Sequence, residues 1–249
     1  MDAINPLLVK NLSFSFGNKR ILRSVHLSLE AGKVYALVGL NGSGKSTLLR
    51  LLTGILPVQE GKIYWNGVPL ESLLPGQLAQ NVAVVWTGRP MENLRVSDVL
   101  ATGIPSGLSK EQAYGRMWRF IAEWKMDSWL NRQIGQLSDG EARVVMIVRA
   151  LLQDTPVIVL DEPATHLDLV RKAEIFLLLR KLAHEGKTIL FSTHDLQLIP
   201  DFTHSIMVLH QGHIHTFLPS NANEAFAQIF RHKALKFDKQ CKGFRFHFP

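Results

Sequence analysis

The sequence predicts an α/β fold: a parallel sheet flanked by helices and interrupted by a helical insertion. Three observations lead there. Val34–Val38 is a short apolar, β-rich run that passes through a glycine-rich turn into a helical stretch, Thr47–Leu52. The second half alternates strand, helix and strand at 157–161, 169–183 and 188–192, the pattern of parallel strands joined by crossovers. From Thr87 to about Leu137 the pattern turns helical, between two β-rich parts.

Taken in order, residues 8–16 alternate as a strand, Gly17-Asn18 is a turn, and 25–29 alternate again. Asn66-Gly67 is a hairpin-type turn. Val82–Trp86 reads as a buried strand. In the insertion, Ser97 can cap a short helix at 98–102, and Ser109 and Gln112 form a capping box. Behind that box Ala113, Met117, Phe120, Ile121 and Trp124 recur at helical spacing, a core stripe for the inserted segment. Ser138 is a natural N-cap for a helix over 142–151. Residues 205–209 and 213–217 make a closing hairpin around Gln211-Gly212, and a helix follows near 222–231.

The turn after Val38 carries the chemistry. Gly39-Leu40-Asn41-Gly42-Ser43-Gly44-Lys45-Ser46 fits G-x-x-x-x-G-K-[ST], in the strand–loop–helix setting that motif requires. Its glycines let successive amides curl around an anion, and the helix N-terminus adds its positive end. Lys45 would reach the β and γ phosphates of a nucleoside triphosphate, and the Ser46 hydroxyl would help hold Mg²⁺. Val157–Leu160 is an apolar strand ending in Asp161 and Glu162. The carboxyl end of such a strand is where doubly wound sheets hold ligands. Asp161 would hold Mg²⁺ and Glu162 would polarise an attacking water. His194 ends another strand, where it could contact a γ-phosphate.

Composition bounds the rest. A chain of 249 residues fits one large domain, or one plus a subdomain, and 46% apolar residues is ordinary for a globular protein. The lone cysteine, Cys241, allows no internal disulfide, which fits a reducing cytosol. The N-terminus does not read as a signal peptide, and no run of about 18 apolar residues spans a membrane. The net charge is +7, and the residues after Ile229 hold six cations, Arg231, Lys233, Lys236, Lys239, Lys242 and Arg245, against Asp238. This tail reads as a solvated surface; no aromatic and basic pattern of an RNA-binding module accompanies it. His210, His213 and His215 read as solvated hairpin histidines.

Together these motifs resemble the ATP-binding cassette (ABC) ATPases, and the match spans nearly the whole chain. Leu137-Ser138-Asp139-Gly140-Glu141 stands where that family has its LSGGQ signature, and Arg149-Ala150-Leu151 matches the end of the signature helix. Thr165-His166-Leu167-Asp168 looks like the D-loop, His194 matches the switch histidine, and Phe16 matches the aromatic that stacks on adenine. The resemblance implies a P-loop NTPase core with a parallel sheet, an antiparallel β subdomain and a helical subdomain. It divides the chain into a nucleotide-binding core with β subdomain (1–87 and 138–220), a helical subdomain (88–137) and a basic tail (221–249). Gly39, Asn41, Gly42, Ser43, Gly44, Lys45, Ser46, Thr47 and Phe16 would bind ATP. Lys45, Glu162 and His194 would be catalytic. Ser46 and Asp161 would hold Mg²⁺. Ser138, Asp139, Gly140 and Glu141 would act on the ATP of a partner cassette, and Asp168 would serve the D-loop.

Three positions depart from the family. Thr87 stands where the Q-loop glutamine is expected, and a threonine is too short to reach Mg²⁺ and the lytic water in the same way. Asp139 replaces a glycine, and its carboxylate would oppose a nearby γ-phosphate unless it points away. Glu141 replaces a glutamine, a change many relatives share. With Lys45, Ser46, Asp161, Glu162 and His194 all present, hydrolysis is expected.

In this family two cassettes sandwich two ATP, so the expected partners are a second copy or a paralogous cassette, transmembrane permease subunits and, indirectly, a substrate-binding protein. The place expected for the chain is the cytoplasmic face of the cell membrane. The short single cassette, its signature, and Phe237-Asp238 with Gly243-Phe244-Arg245 look most like the ATPase subunits that import iron-siderophores, haem and vitamin B12. The alternatives are an exporter or lipid-trafficking ATPase, a cassette protein acting on ribosomes or DNA, and a binding module with weak or no hydrolysis.

Overall fold

The structure, a computed structural model, describes residues 5–88, 91–105, 107–165, 167–194, 196, 199–229, 235–238 and 243–246. Strands β1 (Leu7–Phe16) and β2 (Lys19–Leu29) pair antiparallel. β3 (Val34–Val38) leads through the glycine-rich loop into α1 (Lys45–Leu52). β4 (Glu60–Trp65) and β5 (Val68–Pro69) close on the Asn66-Gly67 turn, with Trp65 opposite Val68. Then follow α2 (Pro75–Asn81), β6 (Val82–Val85), α3 (Val96–Ala101) and α4 (Lys110–Glu123). After α5 (Asp139–Leu152) come β7 (Val157–Asp161), α6 (Leu169–His184) and β8 (Thr188–Thr193). The chain continues through α7 (Ile199–Phe202), β9 (Ser205–His210), β10 (His213–Phe217), α8 (Ala222–Ile229), β11 (Leu235–Asp238) and β12 (Gly243–Phe246).

The central sheet has the order β10-β9-β3-β8-β7-β6. Every neighbouring pair is parallel except β9 with β10. A sheet covered on both faces needs apolar side chains on both, which is why its strands read as continuous hydrophobic runs. Alternate residues go to opposite cores. Val34, Ala36, Val38, Ile158, Leu160, Ile189 and Phe191 pack with α3, α5 and α6 on one face. Tyr35, Leu37, Val157, Val159 and Leu190 pack with α1 and the antiparallel strands on the other. Those antiparallel strands form a second sheet of order β2-β1-β4-β5. Trp65, fully buried, donates its indole N–H to the Leu52 carbonyl at 3.0 Å. That bond ties the second sheet to the end of α1.

Several elements differ from expectation. Helix α3 begins at Val96, with Arg95 as its N-cap, so Ser97 lies inside it and is not its cap. Tertiary bonds do the cap's work: the Val96 and Ser97 amides donate to the Arg132 and Leu130 carbonyls at 3.0 and 3.1 Å. β2 starts at Lys19, six residues before the alternating stretch, because Lys19 and Arg20 pair with Phe16 and Ser15 while remaining exposed. Helix α2 buries no residue, which removes the periodic signal that would have announced it. β6 ends at Val85, one residue before Trp86, and α8 ends at Ile229 within the described residues. Within the basic tail β11 and β12 pair antiparallel, with Leu235 opposite Phe246 and Asp238 opposite Gly243. The capping box at Ser109 forms as expected, and behind it Ile121 and Trp124 are buried with Met117 and Phe120 packed beside them. Arg89, Pro90, His166, Asp195, Arg231, Lys233, Lys239, Cys241 and Lys242 lie outside the described residues.

Two consequences follow for stability. Phe191 is fully buried and meets the Phe176 ring at 5.3 Å. Phe191→Ala is expected to destabilise the chain by about 3–5 kcal/mol, read as a lower urea midpoint. His204 Nδ1 accepts the Val34 N–H at 3.0 Å, and the His204 N–H donates to the Val34 carbonyl at 2.8 Å. Burial, then Lys33, His184 and Arg180, lower the His204 pKa from its ordinary 6.5. The unfolded chain therefore takes up this proton first as pH falls. The contribution of neutral His204 is full above pH 6.5 and is lost as pH drops from there through the lowered folded value. The urea midpoint should fall between about pH 7.5 and 5.5, and His204→Asn should flatten that fall.

Candidate functional site

The parallel strands deliver their ends to one edge. Val38 stands opposite Thr193, Asp161 opposite Ser192, and Val85 opposite Leu160. The glycine-rich loop therefore leaves β3 beside the acids that end β7. At Gly39 the loop is too tight for a side chain: a Cβ would lie 2.6 Å from Ser43 Oγ and 2.7 Å from the Leu209 carbonyl oxygen. Gly44 has φ +107°, a conformation L-residues rarely take, and enters α1 from it. No side chain caps α1, which leaves the positive end of the helix to an anion.

The Lys45 ammonium donates to the Gly39 carbonyl at 2.8 Å and the Leu40 carbonyl at 3.3 Å. Burial holds its pKa below the ordinary lysine value, opposed by the charges of Glu162 and Asp161. Ser43 Oγ is buried and has no hydrogen-bond partner. Such a hydroxyl costs about 1–3 kcal/mol in lost solvation, and a phosphate oxygen in the loop would satisfy it. Asn41 and Gly42 are exposed on the loop, and Thr47 is half-buried in the first turn of α1.

Asp161 is buried, and three hydroxyls satisfy it. Ser46 Oγ and Thr87 Oγ1 both donate to Oδ2, at 3.1 and 3.0 Å, and Ser192 Oγ donates to Oδ1 at 2.5 Å. Thr87 also lies 3.3 Å from the Asp161 carbonyl oxygen. Thr87 and Ser46 thus meet at the same carboxylate oxygen. Ser46, Thr87 and Asp161 make an all-oxygen donor set that suits a hard divalent cation such as Mg²⁺.

Glu162 follows with φ +51°. Its N–H donates to Ser192 Oγ at 3.0 Å. Its Oε2 accepts from Thr165 Oγ1 at 2.9 Å and pairs with His194 Nδ1 at 2.8 Å. His194 is thus held on the carboxylate of Glu162. Arg143, buried on α5, donates to the Trp86 carbonyl at 2.8 Å and to the Glu162 carbonyl at 2.9 Å. Burial lowers its pKa, and Asp161 and Glu162 oppose that shift.

Ser138 caps α5 in a reciprocal box. Its Oγ accepts the Glu141 N–H at 3.2 Å, and Glu141 Oε2 accepts the Ser138 N–H at 2.8 Å. The cap uses the glutamate side chain and leaves the serine O–H as a donor. Asp139 lies exposed in the first turn of this helix. Asp168 caps α6, accepting the Arg171 N–H at 2.8 Å. Phe16, half-exposed at the end of β1, is set edge-on to Phe14 with centroids 4.9 Å apart. His213 and His215 are exposed on β10. Among the described residues, no group of three or more His, Cys, Asp or Glu is arranged to hold a metal ion.

A family model described as ABC transporter matches residues 22–165, more than half of the chain. The chain belongs to the ABC transporter ATP-binding family. It is 35% identical over 202 residues to an uncharacterised ABC transporter ATP-binding protein of Methanocaldococcus jannaschii, covering 77% of this chain and 69% of that one. It is 32% identical over 219 residues to the iron(3+)-hydroxamate import ATP-binding protein FhuC of Bacillus subtilis, covering 84% and 80%. The solved structure of an ATP-binding subunit of an ABC transporter superposes with a TM-score of 0.80 at 27% identity, over 90% of this chain and 94% of that one. A dimeric cassette bound to ADP and phosphate gives 0.76 at 26% identity, over 86% and 98%.

For an ABC ATPase, the site contains three contributors that motif reading passed over: Arg143, Thr165 and Ser192. Thr165 lies in the D-loop stretch and Ser192 ends the expected strand 188–192, neither with a role. Arg143 has a signal, since it is the one charged residue in the otherwise apolar stretch from Ala142 to Val148, and a cation so placed must be buried with partners. Ser43 offers a test of the loop. Removing its unpartnered hydroxyl in Ser43→Ala should stabilise the nucleotide-free chain, by about 1 kcal/mol or more. It should weaken ATP binding by roughly tenfold, the value of one hydrogen bond to a charged group. Urea melts and nucleotide titration check the two halves.

Proposed function

We propose that the chain is the ATP-hydrolysing subunit of an ABC importer, working as a pair of cassettes beneath a separate permease and driving uptake of a metal chelate. The observation that carries the hydrolysis reading is the convergence of Lys45, Ser46, Asp161 and Glu162 on one sheet edge, with Ser46 Oγ 3.1 Å from Asp161 Oδ2. Lys45 and the loop amides hold the β and γ phosphates. Ser46, Thr87 and Asp161 would hold Mg²⁺, which when bound neutralises phosphate charge. Glu162 accepts a proton from the water that attacks the γ-phosphorus as the bond to the bridging oxygen breaks and ADP leaves. His194 keeps the Glu162 carboxylate in place. Phe16 offers its exposed face to the adenine. Ser138 to Glu141 serve the ATP of the opposing cassette, Ser138 through its remaining O–H, and Asp168 serves the D-loop.

The cargo reading rests on likeness to FhuC and to the petrobactin import ATP-binding protein YclP of Bacillus subtilis, 28% identical over 211 residues. No helix among the described residues is long and apolar enough to cross a membrane, and the proposal assigns the membrane crossing to separate permease subunits. The place that follows is the cytoplasmic face of the membrane.

Glu162→Gln is expected to lower the ATPase rate by about a hundredfold or more while ATP still binds. The variant should then form a dimer on adding ATP, seen by size-exclusion chromatography with light scattering. A parent chain that hydrolyses no ATP, alone or with its permease, would overturn the enzyme reading. In membranes carrying the permease, uptake of a ferric or cobalt chelate is expected. Uptake of a different class of solute would overturn the cargo reading alone.

A further inference from the structure

Glu162 holds a backbone conformation that side-chain-bearing residues rarely adopt, with φ +51°. Such conformations persist at working sites only where the surroundings over-determine them. The Glu162 N–H is held by Ser192 Oγ at 3.0 Å, and its carbonyl by Arg143 Nη2 at 2.9 Å. Ser192 belongs to the neighbouring strand β8. Arg143 comes from elsewhere: it lies one turn into α5, the helix that begins at Ser138–Glu141. Its second nitrogen, Nη1, reaches the Trp86 carbonyl at 2.8 Å, one residue before Thr87. Thr87 in turn donates to Asp161 Oδ2. One buried guanidinium therefore spans the exits of β6 and β7, the two segments that carry Thr87, Asp161 and Glu162.

We infer that Arg143 is a positioning residue for hydrolysis: by gripping the Glu162 and Trp86 carbonyls together it sets the direction of the Glu162 carboxylate and couples it to the signature helix. The inference rests on the reading of Glu162 as the residue that activates water. Arginine suits the task because its planar fork presents donors in two directions from one rigid group. A lysine ammonium is a point donor on a flexible stem and cannot hold two separated carbonyls in the same way. The Arg143 hydrogen bonds end on carbonyls at the exits of β6 and β7 and not on the nucleotide-binding loop, so phosphate binding should survive their loss.

The test compares the parent with Arg143→Met and Arg143→Lys, measuring kcat and KM for ATP, affinity for a fluorescent ATP analogue, and Tm. The expected result is a kcat for Arg143→Met at least about tenfold below the parent, with KM and analogue affinity changed by less than about twofold. Arg143→Lys should fall between the two. A parent-like kcat in Arg143→Met overturns the inference. So does a loss of kcat matched by equal loss of analogue affinity and a lowered Tm, which is the behaviour of a packing cation. If Arg143→Met does not fold, Arg143→Lys decides: a reduced kcat at parent-like KM supports the inference, and a parent-like kcat overturns it. An inactive parent would instead defeat the hydrolysis reading, before any variant is compared.

Discussion

A carboxylate taken out of water must be given donors, and the demand made by Asp161 organises this site. Its two oxygens are met by hydroxyls from three different elements: Ser46 from α1, Thr87 from the exit of β6, and Ser192 from β8. None of these groups is near another in sequence, and each must arrive with its own segment correctly docked. The parallel register makes this feasible, since it brings Asp161 level with Ser192 and Val38 level with Thr193. Placing Asp161 therefore fixes the phosphate-binding loop, the exit of β6 and the end of β8 relative to one another. Without the carboxylate the three hydroxyls would have no common partner.

A second layer of constraint surrounds Glu162. Its left-handed backbone, its bonded N–H and carbonyl, and the two donors on its Oε2 leave the carboxylate little freedom. This is the kind of preorganisation that lets a group act without first being reoriented. Arg143 links that restraint to α5, so the helix that starts at Ser138 and the acid that ends β7 share one buried cation. Because both strand exits depend on it, Arg143 is structurally closer to the centre of the site than its place outside the motifs suggests.

The antiparallel sheet has a plainer role. It packs against the α1 face of the central sheet through Leu48, Leu49, Leu51 and Leu52, and Trp65 fastens it to the Leu52 carbonyl. Rigid seating of α1 keeps Lys45 and Ser46 at the sheet edge. The same sheet carries Phe16 to the end of β1, where half of its ring surface stays open.

The sequence by itself determined the alternation of strands and helices, the helical insertion, and the motifs that carry the resemblance to the family. These are legible because they rest on local physics: apolar runs for doubly buried strands, a glycine pattern that only a phosphate-sized anion rationalises, and capping residues at Ser109 and Ser138. Helix α2 and the first part of β2 escaped because neither buries a periodic face. The start of α3 escaped because its first amides are satisfied by residues from Leu130 to Arg132, not by a local side chain. Only the tertiary structure decided which groups meet Asp161 and Glu162. Thr87 reads in the sequence only as a departure from an expected glutamine, and in the fold its hydroxyl shares an oxygen with Ser46. Arg143 reads as a charge in an apolar stretch of its helix, and it becomes a clamp only when β6 and β7 end on either side of its guanidinium. Such pairings depend on the spacing of strands across a sheet, a distance that no local pattern of residues encodes.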